Sequence, residues 1–107
     1  MPDETIGDMA MEEFRKYGHQ VIDWIADYLA HPERYPVLAQ VEPGAVRKKF
    51  PQAPPEEPEC MDVILKDMEQ YIVPGITHWN HPAFFAYFGI SGSGPGILGE
   101  LLSAAFN

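Results

Sequence analysis

The chain has 107 residues, with 7 basic against 16 acidic side chains, a formal charge of −9 and 46% apolar residues. At this length it is one domain or less, and a single basic cluster, Arg47-Lys48-Lys49, on so acidic a chain argues against a nucleic-acid partner. No run approaches the roughly 18 apolar residues of a membrane span, the lone Cys60 cannot form an intramolecular disulfide, and the first ten residues have neither half of a secretion signal, so the expected compartment is the cytoplasm.

The first element is read from residues 8 to 30. Stepping 100° per residue from Phe14, the side chains Tyr17, Val21, Ile22, Trp24, Ile25, Tyr28 and Leu29 fall within about 80° of it. Glu12, Arg15, Lys16, His19, Gln20, Asp23 and Asp27 take the other side. The pattern predicts an amphipathic helix whose start suits Asp8, Glu12 and Glu13 and whose end is set by Pro32, which disfavours helical geometry at His31. Its apolar face is wider than a two-helix seam requires, so it is expected to meet more than one neighbour.

From His31 to Glu59 the chain holds seven of its eleven prolines, and "FPQAPPEEPE" sustains neither a helix nor a central strand. This is connector, with one short helical turn expected to open at Pro43 in "VEPGAVRKKF". Met61, Ile64, Leu65, Met68, Tyr71 and Ile72 then follow helical spacing, predicting a second amphipathic helix over about 60–72, ahead of Pro74-Gly75. A third helix is expected over about 94–107, with Ser93 or Gly94 as cap and Pro95 in its first turn. "GILGELLSAAFN" carries one charge, Glu100, and is apolar or small on nearly every side, so it belongs inside something larger. The chain is therefore read as mainly α, three helices with a proline-rich connector, cut before the partner of its last helix.

Chemistry is sparse. His78 and His81 stand three apart in "HWNH", but two imidazoles with no cysteine or carboxylate nearby fall short of a zinc site, so structural or substrate-side roles are favoured. Cys60 at a helix start reads as a buried or idle thiol rather than a reactive one. Gly89, Gly92, Gly94 and Gly96 precede a helix, where backbone amides could meet a phosphate, but the spacing matches no nucleotide fingerprint and turn formation explains it. The aromatic run "FFAYF" is sharper. If extended, it carries rings on both faces, so one face packs inward while the other, with Trp79, suits a flat, ring-bearing ligand.

The segments "VEPGAVR", "PGITHW", "HPAFFAYF" and "SGPGILGELLSAAF", in that order, resemble the N-terminal region of group II pyridoxal-phosphate-dependent amino-acid decarboxylases, in particular the aromatic-L-amino-acid decarboxylases. The resemblance covers the chain from about Glu12 onward. It implies a fold-type I enzyme of several hundred residues, an obligate homodimer whose N-terminal helices embrace the partner, with pyridoxal 5'-phosphate held by a lysine outside this chain. The large cofactor domain and the C-terminal domain would be absent here, and the 107 residues alone would be inactive. By resemblance, Trp79 lies beside the substrate ring, Tyr87 and Phe88 belong to the substrate pocket, and Gly89-Ile90 occupy the turn that reads Pro-Thr in the animal enzymes. Ile90 brings no hydroxyl, so Ser91, Ser93 or amides freed by Gly89 and Gly92 are the candidates for that contact, and the choice of aromatic substrate, or of an aldehyde-forming reaction, stays open. The alternative is a stand-alone helical module that self-associates or binds a partner through Phe14, Tyr17, Trp24 and Tyr28.

Overall fold

The computed structural model describes residues 9–85 and 92–106, whose regular elements are all helical, with no strand among them. The first helix, α1, spans Met11–Ala30. Its N-cap is Ala10, which offers no side-chain cap, and Glu12 and Glu13 complement the exposed amides of the first turn, while Asp8 lies outside the described residues. It ends where Pro32 requires: His31 leaves helical geometry at φ −137°, ψ 60°. A 3-10 turn over Pro32–Arg34 then folds the chain back. Arg34 Nη2 donates to the Asp27 carbonyl at 2.8 Å and to Asp27 Oδ2 at 3.0 Å, placing a cation at the negative end of α1.

The short helical turn in the connector, α2, spans Ala45–Lys48 rather than opening at Pro43. Gly44 is the cause. It takes φ 86°, a left-handed conformation that a Cβ disfavours, and thereby delays helix entry by two residues.

The next helix, α3, is α-helical over Met61–Asp67, widens to a π turn over Met68–Ile72, and closes as a 3-10 turn over Val73–Gly75. The expected extent was right and the uniform geometry was not. The ladder loosens ahead of Pro74, which has no N–H to continue it.

The last helix, α4, spans Gly94–Phe106. Ser93 is its cap: the hydroxyl accepts the Gly96 N–H at 3.0 Å, and the Ser93 carbonyl accepts from Ile97 at 2.9 Å.

The connector is anchored at both of its stacked ends. Phe50 meets the Tyr71 ring edge-on at 5.7 Å, with Lys49 Nζ 5.5 Å from the same ring. Gly75 lies so close under α2 that a Cβ there would collide with Cγ2 of Val46. By contrast, residues 51–60 are all exposed.

Little is buried. Among the described residues the buried hydrophobic side chains are Tyr17 and Val73, while Phe14, Leu98, Leu101, Leu102 and Phe106 are all more than half exposed. All of α4 except Ile97 is exposed. The radius of gyration, 16.5 Å, exceeds the roughly 13 Å expected of a compact domain this long. The apolar face of α1 is thus partly covered, with Tyr17 buried and Phe14 open, whereas that of α4 is left open by the described chain. No described helix is long and apolar enough to cross a membrane.

Candidate functional site

Tyr28 of α1, Tyr35 of the connector and the Val73 carbonyl at the end of α3 converge on His78, whose side chain is 2% exposed. Its Nε2 lies 2.9 Å from the Val73 carbonyl oxygen, which only accepts, so Nε2 carries the proton. In the neutral ring Nδ1 is then an acceptor, and the Tyr28 hydroxyl, 2.7 Å away, donates to it. Tyr35 stacks on the imidazole at 4.7 Å and 18°, and Trp24 stacks on Tyr28 at 5.2 Å and 11°. The backbone completes the enclosure: the His78 N–H donates to Val37 at 3.0 Å, and the His78 carbonyl accepts from His81 at 3.1 Å. Burial, then the nearby Tyr35 hydroxyl, push the Tyr28 phenol above its ordinary pKa.

The next residue opens outward. Trp79 is 54% exposed and stacks on Phe84 at 5.0 Å and 22°. His81 makes the turn that brings Phe84 back, its Nδ1 accepting the Ala83 N–H at 2.9 Å while its carbonyl accepts from Phe84 at 3.0 Å. Phe85 points away from cover at 89% exposure. The described part of the run has one half-covered ring, Phe84, beside one open ring, Phe85. Both histidines of "HWNH" have structural partners, and the described residues hold no cluster of three or more metal-ligating side chains.

Of the sequence-derived site residues, Trp79 is placed at an exposed aromatic edge, whereas Tyr87, Phe88, Gly89 and Ile90 lie outside the described residues, as does Ser91. Ser93 has its hydroxyl engaged as the α4 cap. Sequence reasoning passed over Tyr35 and the organising role of His78. The available signal was Tyr28: a tyrosine on the covered side of a helix must place its hydroxyl against a polar partner.

A second polar cluster joins α1 to α3. The Tyr17 hydroxyl donates to Asp62 Oδ2 at 3.1 Å and lies 3.7 Å from Cys60 Sγ. The thiol in turn donates to Asp62 at 3.6 Å. Cys60 is exposed rather than buried, because it stands at the N-cap of α3 on the rim of a cleft of about 600 Å³ lined also by Met9, Glu13, Tyr17 and Ile64. The thiol contact first, then desolvation and the Asp62 carboxylate, push the Tyr17 phenol well above the ordinary tyrosine range.

The lysines Lys16, Lys48, Lys49 and Lys66 are all exposed. Lys16 and Lys49 lie over the rings of Tyr17 and Tyr71. What the described residues offer is a flat aromatic edge, Trp79 stacked on Phe84, on a fixed backbone.

Comparison with known proteins identifies the class. Residues 43–107 match the pyridoxal-dependent decarboxylase conserved domain, and the chain belongs to that family. Tyrosine decarboxylase 1 of Narcissus pseudonarcissus is 54% identical over 96 residues, which make up 90% of this chain and 19% of the relative. Phenylacetaldehyde synthase of a Rosa hybrid cultivar is 53% identical over 96 residues, again 90% of this chain and 19% of the relative. The crystal structure of Oryza sativa TDC with PLP and tryptamine superposes with a TM-score of 0.88 at 35% identity, covering 95% of this chain and 21% of that one. The chain therefore spans about a fifth of the length of the relatives it matches. The family is pyridoxal-dependent, and the helical arrangement is that of its solved members.

Proposed function

We propose that the chain is the N-terminal segment of a cytoplasmic, pyridoxal-phosphate-dependent aromatic amino-acid decarboxylase, in which it clasps a homodimer and supplies one wall of the substrate pocket. The cofactor domain and the C-terminal domain then lie outside this segment, and the 107 residues alone are inactive. The observation that carries this reading is the uncovered apolar surface of α4 and of the start of α1 around Met11 and Phe14, on a chain with two buried hydrophobic side chains among its described residues. Such surface has a use where a second copy and a larger catalytic body cover it. The relatives named for tyrosine decarboxylation and tryptamine binding support an aromatic substrate. A similarly close relative is named for aldehyde synthesis, so the reaction outcome is assigned to residues beyond this segment.

Within that enzyme the segment's role is shape and stacking. Trp79, backed by Phe84, presents the face of an indole, and Tyr87, Phe88, Gly89 and Ile90 continue the wall. The bond-breaking groups lie elsewhere. In the intact enzyme, Trp79→Ala and Tyr87→Ala are each expected to lower kcat/KM for aromatic amino acids by about tenfold, the scale of one lost aromatic contact, while the cofactor's absorbance persists. Unchanged kinetics in both variants would remove the pocket-wall assignment.

A further inference from the structure

His78 is held more completely than packing requires. An apolar ring of similar size could fill the same space, yet here both imidazole nitrogens are satisfied in a fixed order, Tyr28 hydroxyl to Nδ1 at 2.7 Å and Nε2–H to the Val73 carbonyl at 2.9 Å. The ring plane is fixed by Tyr35, and the backbone on either side is fixed by Val37 and His81. Buried polar pairs of this kind define orientation, because any rotation leaves a desolvated donor or acceptor without a partner. The chain passes from this clamp directly into Trp79, a ring 54% exposed. Two residues of one peptide segment thus have opposite fates: one enclosed by α1, the connector and the end of α3, the other presented outward.

We infer that the Tyr28–His78–Val73 hydrogen-bond chain is a positioning device for the Trp79–Phe84 aromatic edge, and that His78 and Tyr28 are positioning residues for recognition of the substrate's aromatic ring. The inference rests on the pocket-wall reading of Trp79 for its consequence, though not for its geometry. Tyr28 acts from α1, fifty residues away in sequence, so the angle at which the indole is offered depends on how α1 seats against the 73–78 segment. Removing the hydroxyl leaves His78 Nδ1 buried without its donor while the Tyr28 ring keeps its stack on Trp24 and its tilted contact with Tyr35. The imidazole then keeps its Tyr35 stack and its Val73 bond but loses its tie to α1, so the 73–78 segment, and Trp79 with it, shifts relative to that helix.

The test uses the intact decarboxylase carrying Tyr28→Phe, labelled with 5-fluorotryptophan, the Trp79 resonance being assigned by its loss in Trp79→Phe. A displaced or broadened Trp79 fluorine signal is expected, together with a KM for aromatic substrate raised about fivefold, the factor equivalent to one neutral hydrogen bond, at a kcat changed less than twofold. An unmoved Trp79 resonance overturns the inference whatever the kinetics. A moved resonance with an unchanged KM also overturns it, provided Trp79→Ala impairs catalysis. A moved resonance alongside a kinetically silent Trp79→Ala upholds the positioning geometry and defeats the pocket-wall reading instead, so the two failures are distinct. His78→Gln, which keeps an amide donor for Val73 but offers no ring nitrogen to Tyr28, is expected to reproduce the KM shift and guards against a peculiarity of the first variant.

Discussion

On α4, Leu98, Leu102 and Phe106 lie at successive i, i+4 positions and form one stripe, exposed by 51%, 57% and 84%. Full burial of such a side chain contributes about 1.5–3 kcal/mol. The exposed fractions of Leu102 and Phe106 together therefore represent on the order of 3 kcal/mol that covering the stripe would yield. The double substitution Leu102→Glu/Phe106→Glu removes that gain and adds two carboxylates to the contact. It is expected to weaken self-association of the chain by at least about 100-fold, the factor corresponding to 3 kcal/mol. Sedimentation velocity over a concentration series reads this directly: the unaltered chain should sediment as a dimer or larger species at micromolar concentration, and the double variant should shift towards monomer. A compact, stable monomer from the unaltered chain would refute the reasoning, because it would mean that the exposed stripe needs no cover.

Gly75→Ala is expected to destabilise by about 1–3 kcal/mol in urea unfolding, because the new methyl enters the space of Val46 Cγ2; Val46→Ala in the same molecule should restore most of the loss, whereas additive effects would show that α2 does not rest on that turn. The raised Tyr17 pKa makes a stability prediction with a definite sign. The unfolded phenol loses its proton near pH 10 while the folded one retains it, so this contribution is complete below about pH 10 and declines as pH rises above it. Thermal unfolding followed from pH 8 to 11 should show that alkaline decline, and Tyr17→Phe should make it shallower, with Tyr28 supplying the remainder. An identical alkaline slope in Tyr17→Phe would mean that Tyr17 does not contribute to it.

The sequence determined the elements that a local pattern can encode. Apolar residues at helical spacing fixed α1 and α3, Pro32 and Pro74 limited them, and Ser93 with Pro95 marked the start of α4. Each of these signals works within a turn or two of chain, which is why they survive without knowledge of the fold. The order of the motifs "PGITHW" and "HPAFFAYF" likewise carried the family. Tertiary structure decided the rest. The bonds from Tyr17 to Cys60 and from Tyr28 to His78 join residues 43 and 50 positions apart, and no local spacing announces such a pairing. "HWNH" read as two equivalent imidazoles, yet one became the most enclosed side chain among the described residues and the other a turn. The helical turn expected to open at Pro43 was moved to Ala45 by Gly44 at φ 86°, and Gly75 was fixed by the closeness of Val46. The physical reason is common to all of them: periodicity sets which face a helix offers, but the return path of a proline-rich connector chooses what meets that face, and only there do burial and hydrogen-bond satisfaction assign each polar ring its role.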